Sequence, residues 1–208
     1  MKKKKNWNEK ALPAQRAGTL RNRPWWLALF LAVSVAAPGT ALAFGDQARG
    51  VYFDAGGVPV ADLDVGTWVA GIGVLLPWKL DALPAGGAHS FYWDLFLNNW
   101  NAQDDFDSHT NFAQVGAALY WRYRFDEGRS PWYGELGLGG SLMDRLYHTP
   151  ERQFSTRFQF TEAIGMGLSL GDHGQHELGL RIQHFSNADI RLPNPGETFL
   201  RLRYAYRF

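Results

Sequence analysis

The chain has no cysteine in 208 residues, and beyond residue 43 it has a single lysine, Lys79. The first absence rules out disulfides, so a hydrogen-bonded architecture has to hold the fold together. The second marks a charge asymmetry. Residues 1–43 carry eight of the 21 Lys+Arg and one of the 20 acids, Glu9. The remainder therefore has thirteen basic residues (21 less 8) and nineteen acidic ones (20 less 1), a net charge of −6. A body this acidic gives no support to nucleic-acid binding, and no nucleic-acid partner is expected. Beyond the N-terminal segment no apolar run is long enough for a membrane helix, and no stretch has strong helical periodicity. A glycine-rich phosphate loop is also missing. Asp104, Asp105, Asp107 and His109 crowd one loop, but without EF-hand spacing, so they read as solvated. His89, His148, His173 and His176 lack spaced partners. No metal and no cofactor is expected.

The N-terminal segment has a basic start, then the apolar stretch WWLALFLAVSVAAPGTALA, closed by Ala41-Leu42-Ala43. That pattern is a secretory signal peptide with an A-x-A cleavage site. Pro38, Gly39 and Thr40 interrupt the run short of the ~20 residues a membrane span needs. The expected division is a cleaved signal peptide, 1–43, and one mature domain, 44–208.

The mature part alternates apolar and polar residues with period two, between turn residues. Strands are expected near 48–56, 65–76, 89–100, 111–125, 131–142, 155–170, 175–186 and 197–208. In 111–125 Ala113, Val115, Ala117, Leu119, Trp121, Tyr123 and Phe125 share one face, against Gln114, Gly116, Ala118, Arg122 and Arg124. In the last strand Leu200, Leu202, Tyr204, Tyr206 and Phe208 oppose Arg201, Arg203, Ala205 and Arg207.

A soluble sandwich or lipocalin-like carrier would turn the apolar face inward, and a membrane barrel would turn it outward. Two features favour the membrane. Trp78, Trp100, Trp121, Tyr123, Phe125, Trp132, Tyr204 and Tyr206 lie near strand ends, as interfacial girdles do. The chain also ends in an alternating strand with a terminal aromatic, Phe208, which resembles the C-terminal signature of bacterial outer-membrane barrels. The expected fold is all-β, an eight-stranded antiparallel transmembrane β-barrel with a side-chain-filled interior. Arg122, Arg124, Arg181, Arg201, Arg203 and Arg207 would point inward, with Asp94 and Glu135 among their partners, so the lumen is plugged. Both termini and the turns near 126–130 and 171–174 belong to the periplasmic side, and the linkers near 57–64, 101–110, 143–154 and 187–196 to the outside. Glu162 falls on the outward face unless a bulge shifts the register.

Against this background the stretch RIQHFSNADIRLPNPGETFL stands out. Leu178, Leu180, Ile182, His184 and Ser186 share the lipid face, which puts an imidazole and a hydroxyl at i and i+2, about 6.6–6.8 Å apart at Cα. Either residue alone is ordinary at a strand end. Together they suggest a nucleophile and its base, which need an orienting carboxylate. Glu197 opens the next strand. Parity would turn it inward, so it is expected in the turn before regular pairing begins.

These residues resemble the signature of the PagL-type lipid A 3-O-deacylases, outer-membrane enzymes that remove the ester-linked acyl chain at position 3 of lipid A. The family's pattern of His-x-Ser-Asn-Ala, then Asn-x-Gly, then an acid is met at His184, Ser186, Asn187, Ala188, Asn194, Gly196 and Glu197. The acid is one residue closer to the Asn-x-Gly than in the usual form. FTEAIGMG resembles a further family segment, in which Phe160 would lie near the site. The resemblance implies a carboxylic ester hydrolase in the bacterial outer membrane acting on lipopolysaccharide. Ser186 would be the nucleophile, His184 the base and Glu197 the orienting group. Asn187, Ala188 and Asn194 would be the candidate oxyanion donors. Arg191 could touch a lipid A phosphate or be merely solvated. The chain could also pair as a homodimer. The rival reading is a non-enzymatic OmpX-like structural or adhesion barrel.

Overall fold

The computed structural model describes residues 46, 48–59, 66–78, 88–103 and 108–208. The expected signal peptide and Asp104, Asp105 and Asp107 lie outside them. The alternating segments form eight strands: β1 (Gly50–Gly57), β2 (Trp68–Trp78), β3 (His89–Gln103), β4 (His109–Arg124), β5 (Trp132–Met143), β6 (Phe158–Leu170), β7 (His176–Ser186) and β8 (Glu197–Arg207). Each pairs antiparallel with its neighbours, and β1 pairs with β8, which closes the barrel. Closure leaves no unpaired edge, the condition for β-structure in lipid. Tight turns after β4 and β6 mark one end, the turn end. The longer connections 144–157 and 187–196 mark the other, the loop end.

The apolar faces turn outward. Phe53, Ile72, Leu97, Leu138, Ile164 and Leu202 are each more than half exposed. Inside, Arg122, Arg181, Arg201 and Arg207 are buried. A lipocalin-like carrier needs the opposite arrangement.

The interior has two tiers. Towards the turn end, guanidiniums alternate with carboxylates. Arg201 and Arg203 both pair with Asp54, Arg181 and Arg203 with Asp94, Arg122 and Arg181 with Glu135, and Arg122 and Arg207 with Glu177. Asp94 and Glu135 thus hold the expected partnership, and Asp54 and Glu177 join them. Asp46, just before β1, receives Arg122 and Arg124. Burial alone would raise its pKa, but these two cations hold its carboxyl below the usual carboxylate range. Its contribution to stability is therefore present at neutral pH and fades on acidification through that range. The cavity left between Tyr92, Arg122, Glu135 and Arg181 measures about 10 Å³, room for about one water at most.

Towards the loop end the filling is aromatic. Trp100 is fully buried, with its ring centroid 4.7 Å from Phe199, 5.0 Å from Phe185 and 5.2 Å from Tyr147. This corrects its assignment to an interfacial girdle. Trp100 shares the inward parity of Asp94 and Asn98, and its indole N–H donates to Gln114 Oε1 at 3.1 Å. The other girdle residues face outward as expected. The connection after β5 folds into the barrel mouth, where Tyr147 and Phe154 are buried over Trp100.

Candidate active site

The outward face of β7 carries Leu178, Leu180 and Ile182, each about half exposed, and then His184 and Ser186 at the loop end. The two-residue spacing puts both on one face, as the alternation requires. Ser186 is 4% exposed, because Phe160 of β6 lies directly opposite it in register. Phe160 meets Phe158 edge-on at 5.0 Å. The two rings form a wall beside the hydroxyl.

His184 sits between two strands. On the β8 side its pairing partner is Thr198, whose Oγ1 lies 2.9 Å from Nδ1. On the β6 side its partner is Glu162. β6 runs in regular register through this point without a bulge, so Glu162 does face outward. No hydrogen bond joins Ser186 to the imidazole. Catalytic hydrogen bonds in free enzymes are often open and close only around substrate.

Glu197 does not lie in the turn. It is the first residue of β8, paired with Phe185 and fully buried, because the strand's parity holds to its end. Oε2 accepts from the Tyr147 hydroxyl at 3.2 Å and lies 3.7 Å from Arg152 Nε; Oε1 accepts the Thr198 backbone N–H at 3.0 Å. Arg152 also donates to the Gly196 carbonyl at 2.7 Å.

Gly196 has φ +67°, and a Cβ there would stand 2.6 Å from His184 Cε1 and 2.9 Å from Nε2. The glycine lets the chain pass against the imidazole edge. Gly196→Ala should displace the ring while the barrel still forms. Turnover is expected to fall about 10²-fold, the scale of a 1 Å misplacement, with an unchanged far-UV circular dichroism spectrum.

The expected oxyanion donors are partly engaged. The Asn187 N–H donates to Asn194 Oδ1 at 2.9 Å, and Asn194 Nδ2 to Asp189 Oδ1 at 3.0 Å. Asn187 Nδ2 bonds Ser155, Thr156 and the Arg191 carbonyl, fastening the loop after β7 to the one before β6. Ala188 and Asp189 are left-handed, φ +53° and +61°, and the Ala188 N–H has no hydrogen-bond acceptor. It is the donor best free to meet developing negative charge. Arg191 is exposed. Among the described residues no cluster of His, Cys, Asp and Glu could hold a metal ion.

An apolar groove of about 940 Å³ adjoins the aromatic wall, lined by Phe158, Leu142, Gly140, Val115, Leu97 and Leu95 among others. Gly140 pairs with Phe160, which pairs with Ser186, so hydroxyl and groove lie along one hydrogen-bonded row. The groove expected from Phe158, Phe160 and the β7 aliphatics keeps Phe158 but takes none of the β7 aliphatics. It lies on the β5 side of Phe160, where Gly140 and Ala117 leave the wall low. Thr198, Tyr147 and Arg152 were missed too. Thr198 follows from extending the β7–β8 register outward from Ile182 and Leu200, but nothing local marks the other two.

A family model for lipid A 3-O-deacylase (PagL) matches residues 68–207. The lipid A deacylase PagL of Bordetella bronchiseptica is 32% identical over 132 residues, covering 54% of this chain and 67% of that protein. The crystal structure of the outer-membrane enzyme PagL superposes with a TM-score of 0.57 at 19% identity, covering 76% of this chain and 99% of that one. The structure of Neisserial surface protein A covers 77% of this chain and 97% of its own, with 13% identity and a TM-score of 0.46. With barrel, outward Ser/His pair and family pattern in agreement, the chain belongs to the lipid A 3-O-deacylase (PagL) family.

Proposed function

We propose that this chain hydrolyses the ester-linked 3-O-acyl chain of lipid A in the outer membrane, with Ser186 as nucleophile and His184 as base. The observation that carries this reading is the placement of a serine and a histidine on the outward face of β7, above Leu178, Leu180 and Ile182 and beside a groove fit for an acyl chain. With the loop end outside the cell, the site lies in the outer leaflet, where lipopolysaccharide presents its esters.

In this scheme Ser186 Oγ bonds to the ester carbonyl carbon as its proton passes to His184. The Ala188 N–H receives the oxyanion. The bond from the carbonyl to the sugar oxygen breaks, and His184 returns the proton to that oxygen, freeing the 3-hydroxyl. Water then attacks the acyl-serine by the same route and releases the fatty acid. Glu197 is the orienting carboxylate acting through Thr198: it holds the Thr198 N–H, and the Thr198 hydroxyl meets Nδ1. The acyl chain lies over Gly140 and Ala117, against Phe158. Every group in this scheme comes from one chain, so it does not require a homodimer.

The test is mass spectrometry of lipid A from cells expressing the protein. Loss of one ester-linked hydroxyacyl chain, with amide-linked chains intact, is expected. Unchanged lipid A despite confirmed membrane insertion would leave the non-enzymatic barrel.

A further inference from the structure

Along the strands, the outward face carries one carboxylate among the described residues, Glu162. Its neighbours on β6 are Phe160 and Ile164, and the residues that flank its partner on β7 are Ile182 and Ser186. An ionisable side chain on a lipid-facing wall is unfavourable and marks function, with its partner to be sought nearby. The partner is defined by the ladder: Glu162 stands directly opposite His184. Directly opposed residues hold their Cβ atoms about 4.5–5.5 Å apart. Glu162 accepts only from its own backbone N–H and pairs with no other described residue's side chain, so its carboxylate can still take a cation.

Resting on the reading of Ser186 and His184 above, we propose that Glu162 is a positioning residue for the reaction: its carboxylate flanks the His184 imidazole from β6 and stabilises the imidazolium formed when Ser186 gives up its proton. The groups around the ring divide the task. From β8, Thr198 meets Nδ1. Glu197 turns inward to Tyr147 and Arg152, away from the lipid face. In the following loop Asp189 bonds Asn194, and Arg191 is exposed.

The experiment compares purified wild type, Glu162→Gln, Glu162→Asp, Glu197→Gln and Ser186→Ala on lipid A in detergent micelles across pH. Glutamine keeps the shape, so folding should be unaffected. Expected for Glu162→Gln is a roughly 10- to 100-fold fall in kcat with KM nearly unchanged. A carboxylate beside an imidazole raises its pKa by favouring the cation. Removing it should move the acid limb of the kcat/KM profile to lower pH by about one unit. Glu162→Asp should recover part of both. Activity of Glu162→Gln within twofold of wild type, with an unmoved acid limb, overturns the proposal. Full activity of Ser186→Ala overturns the hydrolytic reading itself and this proposal with it, and is told apart by being seen with Glu162 intact.

Discussion

Ser186→Ala should abolish deacylation while leaving the barrel and its groove intact. The expected fall in kcat is about 10⁴-fold or more, the scale found when a serine nucleophile is removed from a working triad. The residue is 4% exposed and packed beside Phe160, so losing one oxygen changes little in shape. Substrate binding should persist, since the groove formed by Phe158, Leu142 and Val115 does not involve the hydroxyl. The variant should therefore lose kcat with KM nearly constant, the signature of an interaction made only in the transition state. Fatty acid released from lipid A in micelles, quantified by mass spectrometry, measures both. Activity within tenfold of wild type would move the nucleophile elsewhere.

The largest expected effect on stability belongs to Asp54. This carboxylate is 2% exposed and receives Arg201 together with Nε and Nη2 of Arg203, at 3.1 and 2.9 Å. Asp54→Ala leaves two buried guanidiniums beside each other with one shared counter-charge removed. Asn98 still accepts from Arg201, and Asp94 from Arg203. Breaking a buried pair from one side costs about 3–5 kcal/mol. By contrast Asp126, in the turn after β4, pairs with Arg129 where both side chains are more than half exposed. Asp126→Ala should cost less than about 1 kcal/mol. Urea unfolding of the refolded barrel, followed by tryptophan fluorescence, measures both variants side by side.

The strands were legible because each has one apolar and one polar face, and a period of two survives without knowledge of neighbours. The inward arginines followed from the same parity. Trp100 sits near a strand end, where girdle residues are expected, but its even number sends it inward with Asp94 and Asn98. Glu197 is the opposite case: a triad calls for a carboxylate beside His184, but the parity of β8 holds to its first residue and turns Glu197 inward. Glu162 was seen as an anomaly. Its meaning came only from the β6–β7 register, which is set by the turn at 171–175 and by pairing along the whole hairpin. Tyr147 and Arg152 reach Glu197 from a loop, and loop folding leaves no periodic trace in sequence.

The packed interior decides where the hydrolytic water comes from. Ion pairs fill one end of the barrel and Trp100, Tyr147 and Phe154 stopper the other, so the described residues leave no aqueous thread behind the serine. Hydrocarbon surrounds the wall below His184. In the proposed scheme, the water that cleaves the acyl-serine descends from the sugar headgroups above, along the path the freed hydroxyl vacates, while the fatty acid departs sideways into the leaflet. On that scheme turnover is coupled to hydration of the headgroup layer, and a lipid-editing enzyme comes without a leak.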